Sequence, residues 1–444
     1  MAKRSAKKEK AADFRYETGP ARVPWAAVGE PIQLSEAQRV VEFLLPPAKG
    51  KAGQHGRLLN RVKADLGALA EVSERASKLS LGGNVKALEE EAARLLKAKY
   101  TCFLTNATAG FEIGFRYANI GPGDEVIAPA ITFIATIAYP LAVGAKVVLA
   151  DVDPRTVNMD PADVERKITK RTKAIIPVHI GGYPVDMDPV MKLARKHGLV
   201  VIEDAAHAFG GSYHGKMLGA IGHFGSFSFH EVKNINSFGE GGLLATNLAA
   251  GRQLAQMRFL GVDPSRQIKN WLYDVIAVRG KSAPFACNNS SATEIQAVAL
   301  RSQMQRLKQI IAARGKAARY LNRRLRRTPG IIVPPLDSKG IRSTHHLYLL
   351  QVDHEFLGAD VQDLKAKLAE RGVTNIPHFA PLYKFSVMRQ LGYDTEAIEA
   401  ACPNTETVFN HRFTHLPLYE FTAEQMEYMA DAVIESVVEL RKGR

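Results

Sequence analysis

The chain has 444 residues, 46% hydrophobic, 23% charged and 8% aromatic, which is enough length for two or three domains and excludes the disordered, collagenous and disulfide-dense classes. Its three cysteines, Cys102, Cys287 and Cys402, lie far apart without a C-x-x-C pair, so neither a disulfide framework nor a metal site is expected and a reducing, cytoplasmic setting fits. The net charge of +14 raises nucleic-acid binding, but the first ten residues hold five basic side chains and one acid, so +4 of the surplus belongs to a tail read as solvated.

In chain order, residues 1–20 read as a basic disordered tail, with no apolar stretch and cleavage site to make a signal peptide. Residues 21–83 form an N-terminal segment. It contains an amphipathic helix, Leu34–Phe43, with Ser35 as N-cap, and an insert over 47–76 of unassigned purpose. The basic patch after Pro46-Pro47 (Lys49, Lys51, Arg57, Arg61, Lys63) lacks interleaved aromatics, so it is not a stacking platform for nucleic acid.

From Asn84 the pattern alternates: helix Val85–Ala98, strand Tyr100–Leu104, helix Ala109–Ala118, strand Glu125–Ala128. Val126–Ala145 carries no charge and is long enough to cross a bilayer. Pro129, Pro140 and Gly144 interrupt it, and the strand Lys146–Ala150 follows, which suits a buried α/β unit better. The alternation continues through Ala174–Val178, helix Pro189–His197 and strand Leu199–Ile202. A mostly parallel sheet with helices on both faces is expected for a large domain over 84–315. A long helix from Glu294 through Arg324 leads into a smaller α+β domain, 316–444. Its strands are Ile331–Val333 and His346–Val352, followed by a helix Ala359–Arg371. A final helix is opened by the capping-box pair Thr422 and Gln425, with Met426, Met429, Val433 and Val437 on one side.

The informative region is Val200-Val-Ile-Glu-Asp-Ala-Ala-His207, followed by Gly225-Ser-Phe-Ser-Phe-His-Glu-Val-Lys-Asn234 and Gly239-Glu-Gly-Gly242. An acid at the carboxyl end of a buried parallel strand faces the crevice where α/β proteins bind ligands, so Asp204 is placed to meet a cation. Lys233 follows an apolar and aromatic run, where desolvation lowers its pKa and makes the amine a nucleophile. Pyridoxal phosphate needs that pair: a lysine to hold its aldehyde as an imine, and a carboxylate to keep its ring nitrogen protonated. A phosphate cradle is then required. Thr105-Asn-Ala-Thr-Ala-Gly110, between a strand and a helix, offers amides and the Thr108 hydroxyl, and Ser228 adds another hydroxyl. Gly239-Glu-Gly-Gly242 lacks dinucleotide-fingerprint spacing and reads as a turn permitting close backbone approach. His179, His345 and His346 lack metal-ligand spacing and read as core or loop histidines.

These motifs, with Gly123-Asp-Glu-Val-Ile127, Thr132-Phe-Ile-Ala-Thr136, Asp151-Val-Asp-Pro154 and Thr172-Lys-Ala-Ile-Ile-Pro-Val-His179, make residues 80–440 resemble the DegT/DnrJ/StrS family of pyridoxal-phosphate-dependent sugar aminotransferases. The resemblance implies the fold type I architecture, with a seven-stranded-type sheet in the large domain. It also implies roles. Lys233 is the imine lysine and proton carrier, Asp204 meets the ring nitrogen, and His207 approaches the ring hydroxyl. Phe133 stacks on the ring, while Thr108, Ala109 and Ser228 contact the phosphate. Active sites in the family are shared across a homodimer, and Asn289 is the match for a residue reaching the neighbour's phosphate, although Asn289-Ser-Ser291 departs from the Asn-x-Arg or Asn-x-Lys of relatives. Tyr383 stands after Pro-Leu where relatives commonly carry histidine and is expected as a substrate contact. His378 is read as a substrate contact or a structural residue.

The expected activity moves an amino group from glutamate or glutamine to a keto group on a nucleotide-linked sugar. An alternative with the same cofactor is amination of a ketocyclitol or other ring ketone. Lysine at 233 disfavours the family's dehydratases, which carry histidine there. A reading of another class is a non-catalytic binding or regulatory protein using its basic N-terminus. No membrane partner is expected.

Overall fold

The computed structural model describes residues 32–73, 79–268, 272–374 and 379–442; the basic tail and His378 lie outside the described residues. The chain divides into two compact units. The first holds the residues up to Gly82 together with Pro264–Asp274, and the second holds Gly83–Asp263 and Val275–Arg444.

In the first unit the expected N-terminal helix forms as α1, Leu34–Leu44, and the insert supplies a second helix, α2, Ala52–Glu71. Ser35 is not the cap. Glu36 reaches back to accept the Gln33 backbone N–H at 2.7 Å, so the cap is Gln33, two residues earlier, and Ser35 lies in the first turn, its hydroxyl donating to Glu36 at 3.2 Å. A carboxylate two residues into the helix wins because it meets both an orphan amide and the positive helix end. The two helices are joined by Gln38 Nε2 donating to the Lys63 carbonyl at 3.0 Å and by a Lys63–Glu42 ion pair at 3.0 Å.

The second unit opens with α3, Gly83–Leu96, which buries Val85, Leu88, Ala92 and Leu96 along one stripe. The Asn84 and Val85 amides at its start donate to Glu294 at 2.8 and 3.1 Å, placing a carboxylate at the positive helix end. Its central sheet has seven strands: β1 Tyr100–Leu104, β2 Glu125–Pro129, β3 Lys146–Ala150, β4 Thr172–Ile175, β5 Val200–Asp204, β6 Phe224–Ser228 and β7 Gly242–Thr246. Their spatial order is β1-β7-β6-β5-β4-β2-β3, and β7 alone runs against its neighbours.

Successive side chains of a strand point to opposite faces, and the core divides accordingly. Phe103, Ile127, Ile175, Val201, Phe227 and Leu243 enter one hydrophobic cluster, while Leu104, Val126, Ala128, Ala174, Ile202 and Leu244 enter another. Both faces are covered, which explains the near-continuous apolar strands. The chargeless stretch from Val126 therefore becomes β2 and the buried helix Ala135–Ala142, and no helix among the described residues is long and apolar enough to cross a membrane.

A third cluster gathers Leu321, Leu325, Tyr348, Leu350, Leu364, Val433 and their neighbours around a three-stranded antiparallel sheet, Ile331–Ile332, Tyr348–Val352 and Phe413–Leu416. The final helix, Ala423–Lys442, has the expected capping box. The Thr422 N–H donates to Gln425 at 3.0 Å and the Gln425 N–H to the Thr422 hydroxyl at 3.1 Å.

The helix after β1, α4 Ala107–Tyr117, lies against the sheet at glycine contacts. A methyl built on Gly110 would fall 2.1 Å from Ser226 Oγ, and one on Gly242 would fall 2.2 Å from the carbonyl carbon of Asn106. The second clash is with backbone and cannot be relieved by a rotamer change. Gly242→Ala is expected to cost about 1–3 kcal/mol, read as a lower urea midpoint with an unchanged slope.

Candidate active site

The parallel strands deliver their next residues to one edge of the sheet: Thr105-Asn106 after β1, Ala130–Phe133 after β2, Ala205–His207 after β5, and the loop carrying Lys233 after β6. Topology alone thus gathers the cradle, the acid, the histidine and the lysine where open α/β sheets bind ligands.

Asp204 ends β5 at 5% exposure. Burial pushes its carboxyl above the usual range; the Thr136 hydroxyl at 2.8 Å, the Ala206 amide at 3.1 Å and the charge of Lys233 pull it back. Thr136 in turn shares a 2.9 Å hydrogen bond with Thr132. Lys233 is pushed down to about 8 by burial, against the attraction of Asp204. A useful fraction of its amine is therefore neutral near neutral pH, as an imine-forming nucleophile requires. Ala206, His207, Ser228, Lys233 and Asn234 line one small pocket.

Behind β5, Glu203 is completely buried and accepts the Gly219, Ile221 and Gly222 amides at 2.8, 2.7 and 2.6 Å. His179 accepts the Val185 N–H at Nδ1, 3.1 Å away, so its Nε2–H donates to Glu203 at 3.0 Å. This supports the core reading of His179.

The cradle turn has Asn106 as N-cap, its side chain accepting the Ala109 N–H at 3.0 Å, with half-buried Thr108 in the first turn of α4. Ser228 accepts the His230 N–H at 3.3 Å. Asn289 is exposed and accepts the Ser291 N–H at 3.1 Å; its neighbour Ser290 accepts the Thr105 N–H at 3.0 Å, which sets Asn289 beside the cradle. Phe133 is 64% exposed. Tyr383, expected at the substrate, is only 1% exposed, and its hydroxyl donates to Glu406, which also pairs with Lys384 at 3.0 Å. That commits the hydroxyl to a half-buried carboxylate, while the ring packs in the second core cluster.

The sequence places Thr136 and Asn234 in motifs without giving either a role, does not mark Thr344, and leaves His346 as a core or loop histidine. The His346 ring lies 4.4 Å from that of His207, centroid to centroid, and its Nδ1 meets Asn234 at 2.8 Å. The i, i+4 spacing of Thr132 and Thr136 was the available signal for the first of these.

A desolvated amine, a buried carboxylate awaiting a cation and a helix N-terminus bound by glycine contacts fit pyridoxal phosphate in charge and shape. Fold and site together define a pyridoxal-phosphate-dependent aminotransferase of fold type I.

Comparison with known proteins gives the family. Residues 61–434 match the DegT/DnrJ/EryC1/StrS aminotransferase family. GDP-perosamine synthase of Caulobacter vibrioides is 35% identical over 73% of this chain and 83% of its own. A putative sugar aminotransferase of Streptococcus pneumoniae, solved in PLP and PMP forms, superposes with a TM-score of 0.72 at 26% identity; its PMP form is matched over 83% of this chain and 93% of its own. 3-Amino-5-hydroxybenzoic acid synthase gives a TM-score of 0.72 at 27% identity over 82% of this chain and 93% of its own. The chain belongs to the DegT/DnrJ/EryC1/StrS aminotransferase family, and it is a transaminase acting on sugar-like substrates.

Because Asp204 attracts the Lys233 ammonium, Asp204→Asn is expected to lower the lysine's titration midpoint below about 8 in the cofactor-free chain. Competitive acetylation of Lys233 across a pH series, read by mass spectrometry, checks both value and sign.

Proposed function

We propose that the chain transfers an amino group from glutamate or glutamine to a keto group of a nucleotide-linked sugar. The observation that carries this reading is the pairing of a buried Lys233 amine with a buried Asp204 carboxyl, close enough for their charges to attract, at the carboxyl edge of the sheet. The relationship to GDP-perosamine synthase favours the nucleotide-linked class.

When bound, pyridoxal phosphate supplies an electron sink and carries the amino group between the two half-reactions. Asp204 holds a proton at the ring nitrogen. In each half-reaction Lys233 would move one proton between the substrate carbon and the cofactor's C4′ carbon. The turn at Thr108 and Ala109, with the Thr108 and Ser228 hydroxyls, would hold the phosphate. His207 meets the ring hydroxyl and Phe133 covers the ring face. Phe133 and Asn289 are exposed in the single chain, which favours a homodimer whose partner completes the site.

A ring ketone of another kind is the second reading, favoured by the likeness to 3-amino-5-hydroxybenzoic acid synthase, whose named product is not a sugar.

Purified protein supplied with pyridoxal phosphate is expected to be yellow and to lose its visible band when glutamate or glutamine is added; the effective donor identifies itself. Lys233→Ala is expected to lack the band and to lose at least 10²-fold in transamination rate. Keto-sugar nucleotides should restore the band in donor-treated enzyme. Restoration by free ring ketones alone would select the second reading. A sedimentation mass near that of one chain would overturn the dimer.

A further inference from the structure

We propose that Asn234 is a positioning residue that holds the Lys233 amine in its pocket and couples it to His207.

The loop between β6 and β7 is closed at its base by backbone bonds. Phe229 N–H donates to the Gly241 carbonyl at 2.7 Å, Ser237 N–H to the Phe229 carbonyl at 3.0 Å, and Glu231 N–H to the Gly239 carbonyl at 3.0 Å. The tip is held differently. Val232 and Phe238 on either side are 58% and 51% exposed, while Ile235 is buried in the first core cluster, so the loop's apolar anchor lies on the far side of Asn234 from Lys233. The tip's ties to the rest of the protein include the Asn236 N–H to Gln303 at 3.1 Å and, directly beside Lys233, the Asn234 amide. Asn234 Nδ2 donates to the Thr344 carbonyl at 2.9 Å, and its oxygen meets His346 Nδ1 at 2.8 Å.

With the amide nitrogen donating to a carbonyl, the amide oxygen can only accept, so the proton of the His346 ring sits on Nδ1. The segment Asn234 grips also fixes His207. The Thr344 hydroxyl donates to the His207 carbonyl, and the Thr344 and His346 amides donate to the Gly182 and Gly181 carbonyls at 3.2 and 2.9 Å. The Gly181 N–H donates to His207 Nδ1 at 3.3 Å, which places the proton of the neutral His207 ring on Nε2. One side chain thus joins the loop of the nucleophile to the strand entry that sets the orientation and tautomer of His207. An amide suits this place because it donates and accepts in one plane. Alanine does neither, and aspartate cannot donate.

Burial is what depresses the Lys233 amine, so a loop released from Thr344 and His346 admits water and restores the ammonium form. Aspartate adds a negative charge that favours the ammonium further.

The experiment is competitive acetylation of Lys233 across a pH series, using the full-length chain freed of cofactor, for wild type, Asn234→Ala, the isosteric Asn234→Asp, and Val433→Ala as a control destabilised in the distant third core cluster. Both Asn234 variants are expected to titrate about one unit above wild type, which is about tenfold less neutral amine below the midpoint. Val433→Ala should titrate as wild type does. A wild-type midpoint in either folded Asn234 variant overturns the proposal, as does an equal shift in Val433→Ala. If the alanine variant fails to fold, the aspartate variant decides. The inference rests on Lys233 as the reactive amine and not on the sugar reading. The labelling uses neither cofactor nor substrate, so the outcome is independent of the donor and acceptor assays.

Discussion

The site depends on a carboxylate and an amine kept out of water at the end of a buried parallel strand. Each is made less stable in its charged form by burial, and each partly restores the other. An isolated charge buried this way is expensive, and here the expense is offset by a hydroxyl, a backbone amide and a neighbouring charge of opposite sign. The balance leaves Lys233 partly neutral and Asp204 ready to meet a cation, which are the two conditions pyridoxal phosphate chemistry sets.

Everything around the pair preserves that balance. Glu203 and His179 lock the end of β5 from behind, using three backbone amides and one imidazole, so Asp204 cannot swing toward solvent. Gly110 and Gly242 let the cradle helix and β7 approach at distances no side chain would permit. A rigid turn there would matter to the proposed phosphate contact, because positional error at that end of the cofactor would be carried to the reacting carbon.

The strands were legible in the sequence because burial on both faces demands unbroken apolar runs, and β1 and β3 fall where the pattern puts them, at Tyr100–Leu104 and Lys146–Ala150. The C-terminal capping box was legible for the same local reason. Boundaries that depend on competition between neighbours were less so: Ser35 is a good cap by type, yet Glu36 started the helix from Gln33. Tyr383 was read by position in a motif, whereas its hydroxyl found Glu406, 23 residues away, and its ring entered the core.

Lys233, Asp204 and the proposed cradle stand out in the sequence because each is a residue kind that the proposed chemistry requires, set at the end of a recognisable strand or turn. The sequence determined the parallel sheet, the residues that converge on its carboxyl edge and, through their kinds, the cofactor. Only the tertiary structure decided how the amine is held and which histidine nitrogen carries its proton. Asn234 meets its partners across 110 and 112 residues of chain, and a side-chain amide shows no preference for such partners until the fold brings them within hydrogen-bonding distance.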